Sequence, residues 1–321
     1  DGSILWQKTV REELPHEGTH AEGSWASGSP VTDGEHVYAF FGSRGLYCFD
    51  MQGNLIWEKD LGDMKIKMSF GEGSSPVLHG DILVVNWDHE GQSFIVALDK
   101  KTGEELWKVD RDEKTSWATP LVVEHNGRSQ VITSATKLIR SYDLATGELI
   151  WEVGGMTANV IPNPVYANGV VYIMSGFRGN ALLAINLDLA SGDITDSEAI
   201  VWRYDEKETP YTPSPLLYGD TLYFLRLNNG FLSCFNVATG QAHYTGQKLE
   251  GIKQTFVSPV GASERVYITG QDGVTVVIER GSEFKILATN SLDDNFTASP
   301  AIVDREIYLR GHKHLYRISS D

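Results

Sequence analysis

The stretch at residues 97–107, ALDKKTGEELW, decides the fold. An apolar segment ends at Asp99, the chain turns through Gly103, and a second segment runs out to a tryptophan. An Asp side chain can bond the backbone two residues further on, and glycine supplies a left-handed residue. The stretch therefore predicts two antiparallel strands joined by a tight turn.

This unit is repeated along the whole chain. A small or polar residue followed by proline marks each copy, and the prolines lie 46, 44, 44, 51, 44 and 41 residues apart. After each proline come a short apolar strand, a glycine or asparagine turn, an alternating strand, and a third strand. This period and content predict four-stranded blades of a β-propeller. The blades start near residues 29, 75, 119, 163, 214, 258 and 299.

The two ends of the chain complement each other. The seventh unit stops at its third strand near Ile318, whereas residues 1–6, DGSILW, read as a turn and an outer strand. We expect residues 1–10 to complete the last blade, which would remove an exposed sheet edge. The sequence predicts an all-β, seven-bladed β-propeller of four-stranded antiparallel blades in a single domain, residues 1–321, with eight blades as the alternative.

Two residue types occupy fixed places in the unit. A large flat side chain at the end of each outer strand is suited to packing between blades. Cys48 and Cys234 hold matching positions in the third strands of units one and five, where other units have small residues. Because several blades separate them, we expect two buried free thiols. The predicted interblade tryptophans are Trp6, Trp57, Trp107, Trp151 and Trp202.

The motif [Ala/Leu]-x-[Asp/Asn]-x-x-Thr-Gly-x-x-x-Trp resembles the repeat of quinoprotein alcohol dehydrogenases. The same repeat occurs in BamB-like scaffold proteins and other bacterial PQQ-like propellers, which share a WD40- or YVTN-like architecture. The resemblance covers essentially the whole chain and implies the fold, because the repeated residues are structural. The quinoprotein enzymes use PQQ and Ca²⁺, and commonly a disulfide between adjacent cysteines, which this chain lacks. The chain is therefore nearer to the non-enzymatic scaffolds, and neither PQQ nor Ca²⁺ is expected as a cofactor.

Charge and composition narrow the classes of partner. The chain has 27 Lys plus Arg against 43 Asp plus Glu, a net charge of −16. So acidic a chain repels nucleic-acid phosphates and anionic lipid. No apolar stretch is long enough to span a membrane, and no phosphate-binding, hydrolase or dinucleotide motif is matched. We expect a monomer without nucleic-acid partners or membrane spans, and either a processed N-terminus or one module of a longer protein.

The loops after each outer strand, and those between second and third strands, are expected on one face. They carry aromatic and arginine side chains, which are frequent in binding surfaces. Such a collar could hold a peptide segment, a sugar or an anionic small molecule. The alternative is that the aromatics cap strand ends and the charges are solvated. The candidate binding residues are Trp25, Arg44, Trp87, Trp117, Arg178, Tyr211, Arg226 and Arg310.

Four histidines form a possible metal cluster. Imidazole groups brought together bind Zn²⁺ and other transition metals. No metal-ligand spacing is matched, however, so no metal site is predicted. The four residues are His16 and His20, before the first blade, and His312 and His314, in the last blade.

The sequence predicts a non-catalytic scaffold of the bacterial periplasm, secreted space or cell surface. It would present its loop-rich face to an unknown protein or polymer partner. The alternative is a quinoprotein-like oxidoreductase, or a sensor of a small ligand or metal, that uses the channel mouth. No catalytic residue is predicted, and a thermal shift with PQQ and Ca²⁺ would distinguish the two.

Overall fold

A computed structural model describes residues 2–319. Its strands form seven sheets, each built from antiparallel strands that follow one another along the chain. The fold is therefore a seven-bladed β-propeller, and the eight-blade alternative is wrong. Within these residues the helical elements are two short 3-10 turns, Gly42–Arg44 and Lys67–Ser69. No helix among them is long and apolar enough to cross a membrane. The chain divides into two compact units, one running to residue 155 with 191–195 added, the other formed by 156–190 and 196 onward.

The first unit contains blades one to three. Each blade is an antiparallel sheet in simple chain order, and the first strands of successive blades lie side by side. The strands are β1 Val31–Thr32, β2 His36–Phe40, β3 Leu46–Asp50 and β4 Leu55–Lys59; β5 Val77–His79, β6 Ile82–Trp87, β7 Ser93–Asp99 and β8 Glu105–Arg111; β9 Leu121–His125, β10 Arg128–Thr133, β11 Ile139–Asp143 and β12 Leu149–Val153.

The second unit contains blades four to seven, again with neighbouring first strands. The strands are β13 Val165–Ala167, β14 Val170–Ser175, β15 Ala181–Asn186 and β17 Ile200–Tyr204; β18 Leu216–Tyr218, β19 Thr221–Leu225, β20 Phe231–Asn236 and β21 Ala242–Lys248; β22 Val260–Ala262, β23 Arg265–Thr269, β24 Val274–Glu279 and β25 Ile286–Ser291; β26 Ala301–Val303, β27 Glu306–Arg310 and β28 Leu315–Ser319. The short strand β16 Gly192–Asp193 lies between β15 and β17 in the sequence but belongs to the first unit.

Blade three has a fifth strand that the repeat did not predict. β16 pairs in parallel with the outer strand β12, where Trp151 lies opposite Gly192. It comes from the connection between β15 and β17, inside the one repeat unit that is 51 residues long. The insertion thus covers the outer edge of a sheet whose backbone groups would otherwise be unpaired.

The seventh sheet contains three strands, β26 to β28, and residues 2–10 carry no strand assignment. The fourth strand that the sequence assigns to residues 1–10 therefore stays a prediction, and Asp1 lies outside the described residues. Trp6 still has the packing expected of a repeat tryptophan. Its ring lies over Gly53 and its indole N–H donates to the Met51 carbonyl at 3.1 Å.

A tryptophan of one blade covers a turn glycine of the next. The Trp107 indole N–H donates to the Leu144 carbonyl at 2.9 Å. Gly147 beneath the ring has φ +77°, and a Cβ there would lie 2.7 Å from a ring atom. Only glycine fits both the backbone and the space. The same arrangement joins Trp57 to Gly103 and Trp202 to Gly240.

Trp151 departs from this pattern. It is buried like the others, but its indole N–H donates to the Gln130 side chain of its own sheet at 3.1 Å. The Gln130 carbonyl oxygen also accepts from the Ser141 hydroxyl. The polar end of this tryptophan is therefore satisfied inside blade three.

The residue before each repeat proline has a role that the sequence analysis missed. At five of the seven positions its side-chain oxygen accepts a hydrogen bond from the backbone N–H of the equivalent residue one blade earlier. In the first unit Ser29 donates to Ser75, and Ser75 donates to Thr119, at 2.9 and 3.0 Å. In the second unit the same bond joins Asn163 to Ser214, Ser214 to Ser258, and Ser258 to Ser299.

These bonds explain why a small hydroxyl residue recurs there. Ser214→Ala leaves the Asn163 N–H without its acceptor, so we expect a loss of about 1 kcal/mol in unfolding free energy. Urea denaturation measures it. Ser214→Thr keeps the hydroxyl and should retain most of the stability, whereas equal losses in both variants would contradict this role.

Both cysteines are buried and free, as predicted. Burial raises the pKa of Cys48 to about 11 and that of Cys234 to about 12. Thiols with so high a pKa carry almost no thiolate near neutral pH, so they are poor nucleophiles and poor metal ligands. They act as small apolar fillers of the core.

Candidate functional site

Strand direction places two sets of loops together. In each antiparallel sheet, the loop between the second and third strands lies at the same end as the loop that leaves the outer strand. Backbone hydrogen bonds join the two kinds of loop in the second unit, from Leu227 N to Thr209 O at 3.0 Å and from Thr255 N to Asn228 O at 2.9 Å. These loops form a paired rim, which holds their side chains in fixed positions.

In the first unit, a cavity of about 230 Å³ lies between the N-terminal segment and the loops of blades one and two. The predicted residues Trp25 and Arg44 both line it. Trp25 is 53% exposed, and its indole N–H donates to the Glu17 carbonyl at 3.1 Å. Its exposed ring is therefore fixed by the segment that carries it.

The charged groups around this cavity already bind one another. The Arg44 guanidinium contacts Glu13 at 2.5 Å and Asp63 at 3.0 Å. Both oxygens of Glu72 accept bonds from Ser43, one from its N–H and one from its hydroxyl. The charged side chains named here are thus held in place by neighbouring groups of the same unit.

Two of the four histidines, His16 and His20, lie in the first unit, and the other two, His312 and His314, lie in the second. Among residues 2–319, the one group with ligand atoms within 4.8 Å of each other is His16, Glu17 and Glu72. It suits a cation poorly. The two ring nitrogens of His16 already bond the Met64 carbonyl, at 2.7 Å, and the Arg44 guanidinium, at 3.0 Å.

We therefore expect the purified protein to contain no stoichiometric metal, since a guanidinium already occupies the His16 lone pair. Elemental analysis after dialysis measures this. As a control, His16→Ala should leave the metal content unchanged. One equivalent of Zn²⁺ or another transition metal, lost in that variant, would contradict the expectation.

Trp87 is wrong as a binding residue. It is 1% exposed, because β6 continues to this position and directs the ring into the core, where it stacks on Phe94 at 5.5 Å. Trp117 is half-buried, and its indole N–H donates to the Gly71 carbonyl at 2.8 Å. Trp117 therefore fixes a loop as well as presenting an edge to solvent.

A buried ion pair that the sequence analysis did not predict lies beneath these loops. The side chains of Asp88 and Arg111 are both 0% exposed, with Nε to Oδ1 at 2.8 Å. Arg111 also donates to the Thr133 hydroxyl and the Tyr142 hydroxyl, each at 2.8 Å. The pair thus links blade two to blade three through the Thr133 and Tyr142 hydroxyls.

Acidic residues that follow β8 are also neutralised. Side-chain hydrogen bonds from Lys137 and Arg140 lower the pKa of Asp112 to about 2. Burial raises the pKa of Glu113, which accepts the Lys137 and Leu138 N–H groups and faces Arg140 at 3.3 Å. These carboxylates hold loops of blades two and three together.

In the second unit, five side chains on loops of blades four and five form what we call the blade 4–5 patch. Phe177 and Tyr211 stack with ring centroids 4.6 Å apart. The Arg178 guanidinium lies 5.4 Å from the Phe177 ring, and Arg226 covers Phe231 at 3.9 Å. The patch comprises Phe177, Arg178, Tyr211, Arg226 and Leu227.

The patch contains three predicted residues and two that were missed. Phe177 and Leu227 adjoin predicted arginines, but nothing in the repeat shows that a loop side chain is exposed. Arg310 ends β27 in the seventh sheet and is exposed. Its side chain forms no hydrogen bond or ion pair among residues 2–319, and it belongs to another blade. Of the predicted collar, Trp25 and Arg44 thus lie together at the cavity of the first unit, and Arg178, Tyr211 and Arg226 lie together in the patch of the second.

The fold and its repeat define a PQQ-like β-propeller. Residues 91–321 match the family described as outer membrane protein assembly factor BamB, and the chain belongs to this family. A relative from Francisella salina, named outer membrane protein assembly factor BamB, is 28% identical over 106 residues. That match covers 33% of this chain and 18% of the relative.

The fold is also that of a solved structure. The crystal structure of BamB from Moraxella catarrhalis aligns with a TM-score of 0.65 and 16% identity. The alignment covers 89% of this chain and 80% of that one. At this identity the likeness concerns the fold alone.

Proposed function

We propose that the protein is a non-catalytic scaffold of the extracytoplasmic space that binds a protein partner through the blade 4–5 patch. The observation that carries the proposal is the patch itself. Aromatic and arginine side chains dominate the binding energy of protein interfaces, and here they lie together on loops whose backbones are paired. The name of the matched family supports a role in the assembly of outer membrane proteins.

The first unit supports the absence of catalysis. Its cavity is lined by Glu13, His16, Arg44 and Glu72, whose polar atoms are occupied by each other or by loop backbone. The thiols of the chain are buried with raised pKa values. The proposed role requires neither PQQ nor Ca²⁺, and the protein would act as a monomer.

The test is made in the bacterium that produces the protein. We expect the chain in the envelope fraction, and a protein partner that co-purifies with it after mild crosslinking. Arg178→Ala combined with Arg226→Ala should reduce recovery of that partner several-fold. Arg305→Ala, at an exposed arginine in the turn between β26 and β27, should not. A cytosolic location, or the same recovery from the double variant as from the wild type, would overturn the proposal.

A further inference from the structure

The Arg178 side chain is a cation without a partner. It is exposed, its contact is the Phe177 ring, and within residues 2–319 it has no hydrogen bond or ion pair. Arg226, by contrast, faces Glu208 at 3.6 Å. The two arginines and this glutamate leave the patch with a positive charge, although the whole chain carries −16.

Two residues of the patch are held in a costly backbone conformation. Arg178 has φ +56° and Leu227 has φ +50°. A residue with a Cβ pays about 1–3 kcal/mol for such a conformation, and strain of this kind persists where the surrounding structure imposes it. Leu227 is 41% exposed, and its N–H and carbonyl are both bonded to the neighbouring loop. The loops therefore present an apolar and a cationic side chain in fixed positions.

We infer that the blade 4–5 patch binds an acidic segment of a partner protein, with a carboxylate on Arg178 and an adjacent apolar side chain against Leu227 and the Phe177–Tyr211 stack. This rests on the proposed function and specifies its partner. A planar guanidinium binds a carboxylate through two parallel hydrogen bonds. The acidic remainder of the protein repels such a segment elsewhere, which confines binding to the patch.

Two labelled synthetic peptides of equal length test the inference. One alternates glutamate with leucine, and the other has lysine in place of every glutamate. We expect fluorescence anisotropy to show saturable binding of the acidic peptide alone, weakened by added salt because the contact is partly exposed. Arg178→Ala should weaken it by ~10-fold or more.

Matched variants separate this chemistry from other effects. Arg178→Lys keeps the charge but loses the planar fork, so it should restore only part of the affinity. Arg305→Ala, at an exposed arginine in the turn between β26 and β27, should bind as the wild type does. Thermal unfolding checks that each variant is folded. Equal binding of both peptides, binding unchanged in Arg178→Ala, or no binding of either peptide would overturn the inference. If one of these peptide results is obtained but the partner still co-purifies in an Arg178-dependent manner, the acidic segment is refuted and the scaffold proposal stands.

Discussion

Replacing Arg111 with methionine should destabilise the protein by about 3–5 kcal/mol, because it leaves Asp88 as a buried charge without its cation. The two side chains are wholly buried, and the guanidinium makes hydrogen bonds to both Asp88 oxygens at 2.8 and 3.0 Å. The lost bonds to Thr133 and Tyr142 add to the effect. Urea denaturation followed by tryptophan fluorescence measures the change.

The exposed pair of Arg128 and Asp143 is the control. Its Nε–O distance is also 2.8 Å, but the arginine side chain is 47% exposed. Arg128→Met should therefore cost about 1 kcal/mol or less. Replacing both Asp88 and Arg111 with apolar residues should restore part of the loss, since no unpaired charge then remains. A loss for Arg111→Met no larger than that for Arg128→Met would show that the pair contributes little.

Trp107→Ala should cost about 3–5 kcal/mol, the range for removing a large buried aromatic side chain. Trp107 is 8% exposed, covers Gly147 of the next blade and bonds the Leu144 carbonyl. Its removal opens a cavity between blades two and three. The same urea denaturation measures the loss.

Trp25 provides a matched control, because it is a tryptophan of the same unit that is 53% exposed. We expect Trp25→Ala to change stability by less than about 1 kcal/mol. Gly147→Ala should also destabilise the protein, because Gly147 has a positive φ and an added Cβ would meet the Trp107 ring. Stability unchanged in both Trp107→Ala and Gly147→Ala would contradict interblade packing by the tryptophans.

The fold could be predicted because each blade repeats the same local chemistry. The Asp99 and Gly103 turn, the tryptophan after it and the serine–proline start recur at nearly fixed spacing. The features that the sequence analysis missed occur once and not in every blade. β16 arises from one insertion, and the Gln130 partner of Trp151 occurs in one blade. A sequence repeat predicts the features that its copies share, and it does not predict a feature that occurs in one copy.

The site was harder to predict, since exposure depends on where a strand ends. Trp87 and Trp117 were both predicted on loops, but Trp87 is the last residue of strand β6 and is buried, whereas Trp117 lies in the connection between β8 and β9 and is half-buried. Arg178 and Arg111 are both arginines near loops, yet one is exposed and the other has a fully buried side chain. Arg111 bonds the Thr133 and Tyr142 hydroxyls of the next blade, and no local sequence pattern encodes those contacts.

Photo-crosslinking from the patch tests the central claim most directly. A photoreactive phenylalanine analogue replaces Phe177 of the patch in one variant, which keeps Arg178, and replaces Ala238 in another. Ala238 is exposed in the turn between β20 and β21, at the opposite end of its sheet from Arg226. On irradiation in intact cells, we predict a discrete protein adduct from position 177 and none from position 238. Adducts from position 238 alone, or from neither position, would contradict a partner-binding face at these loops.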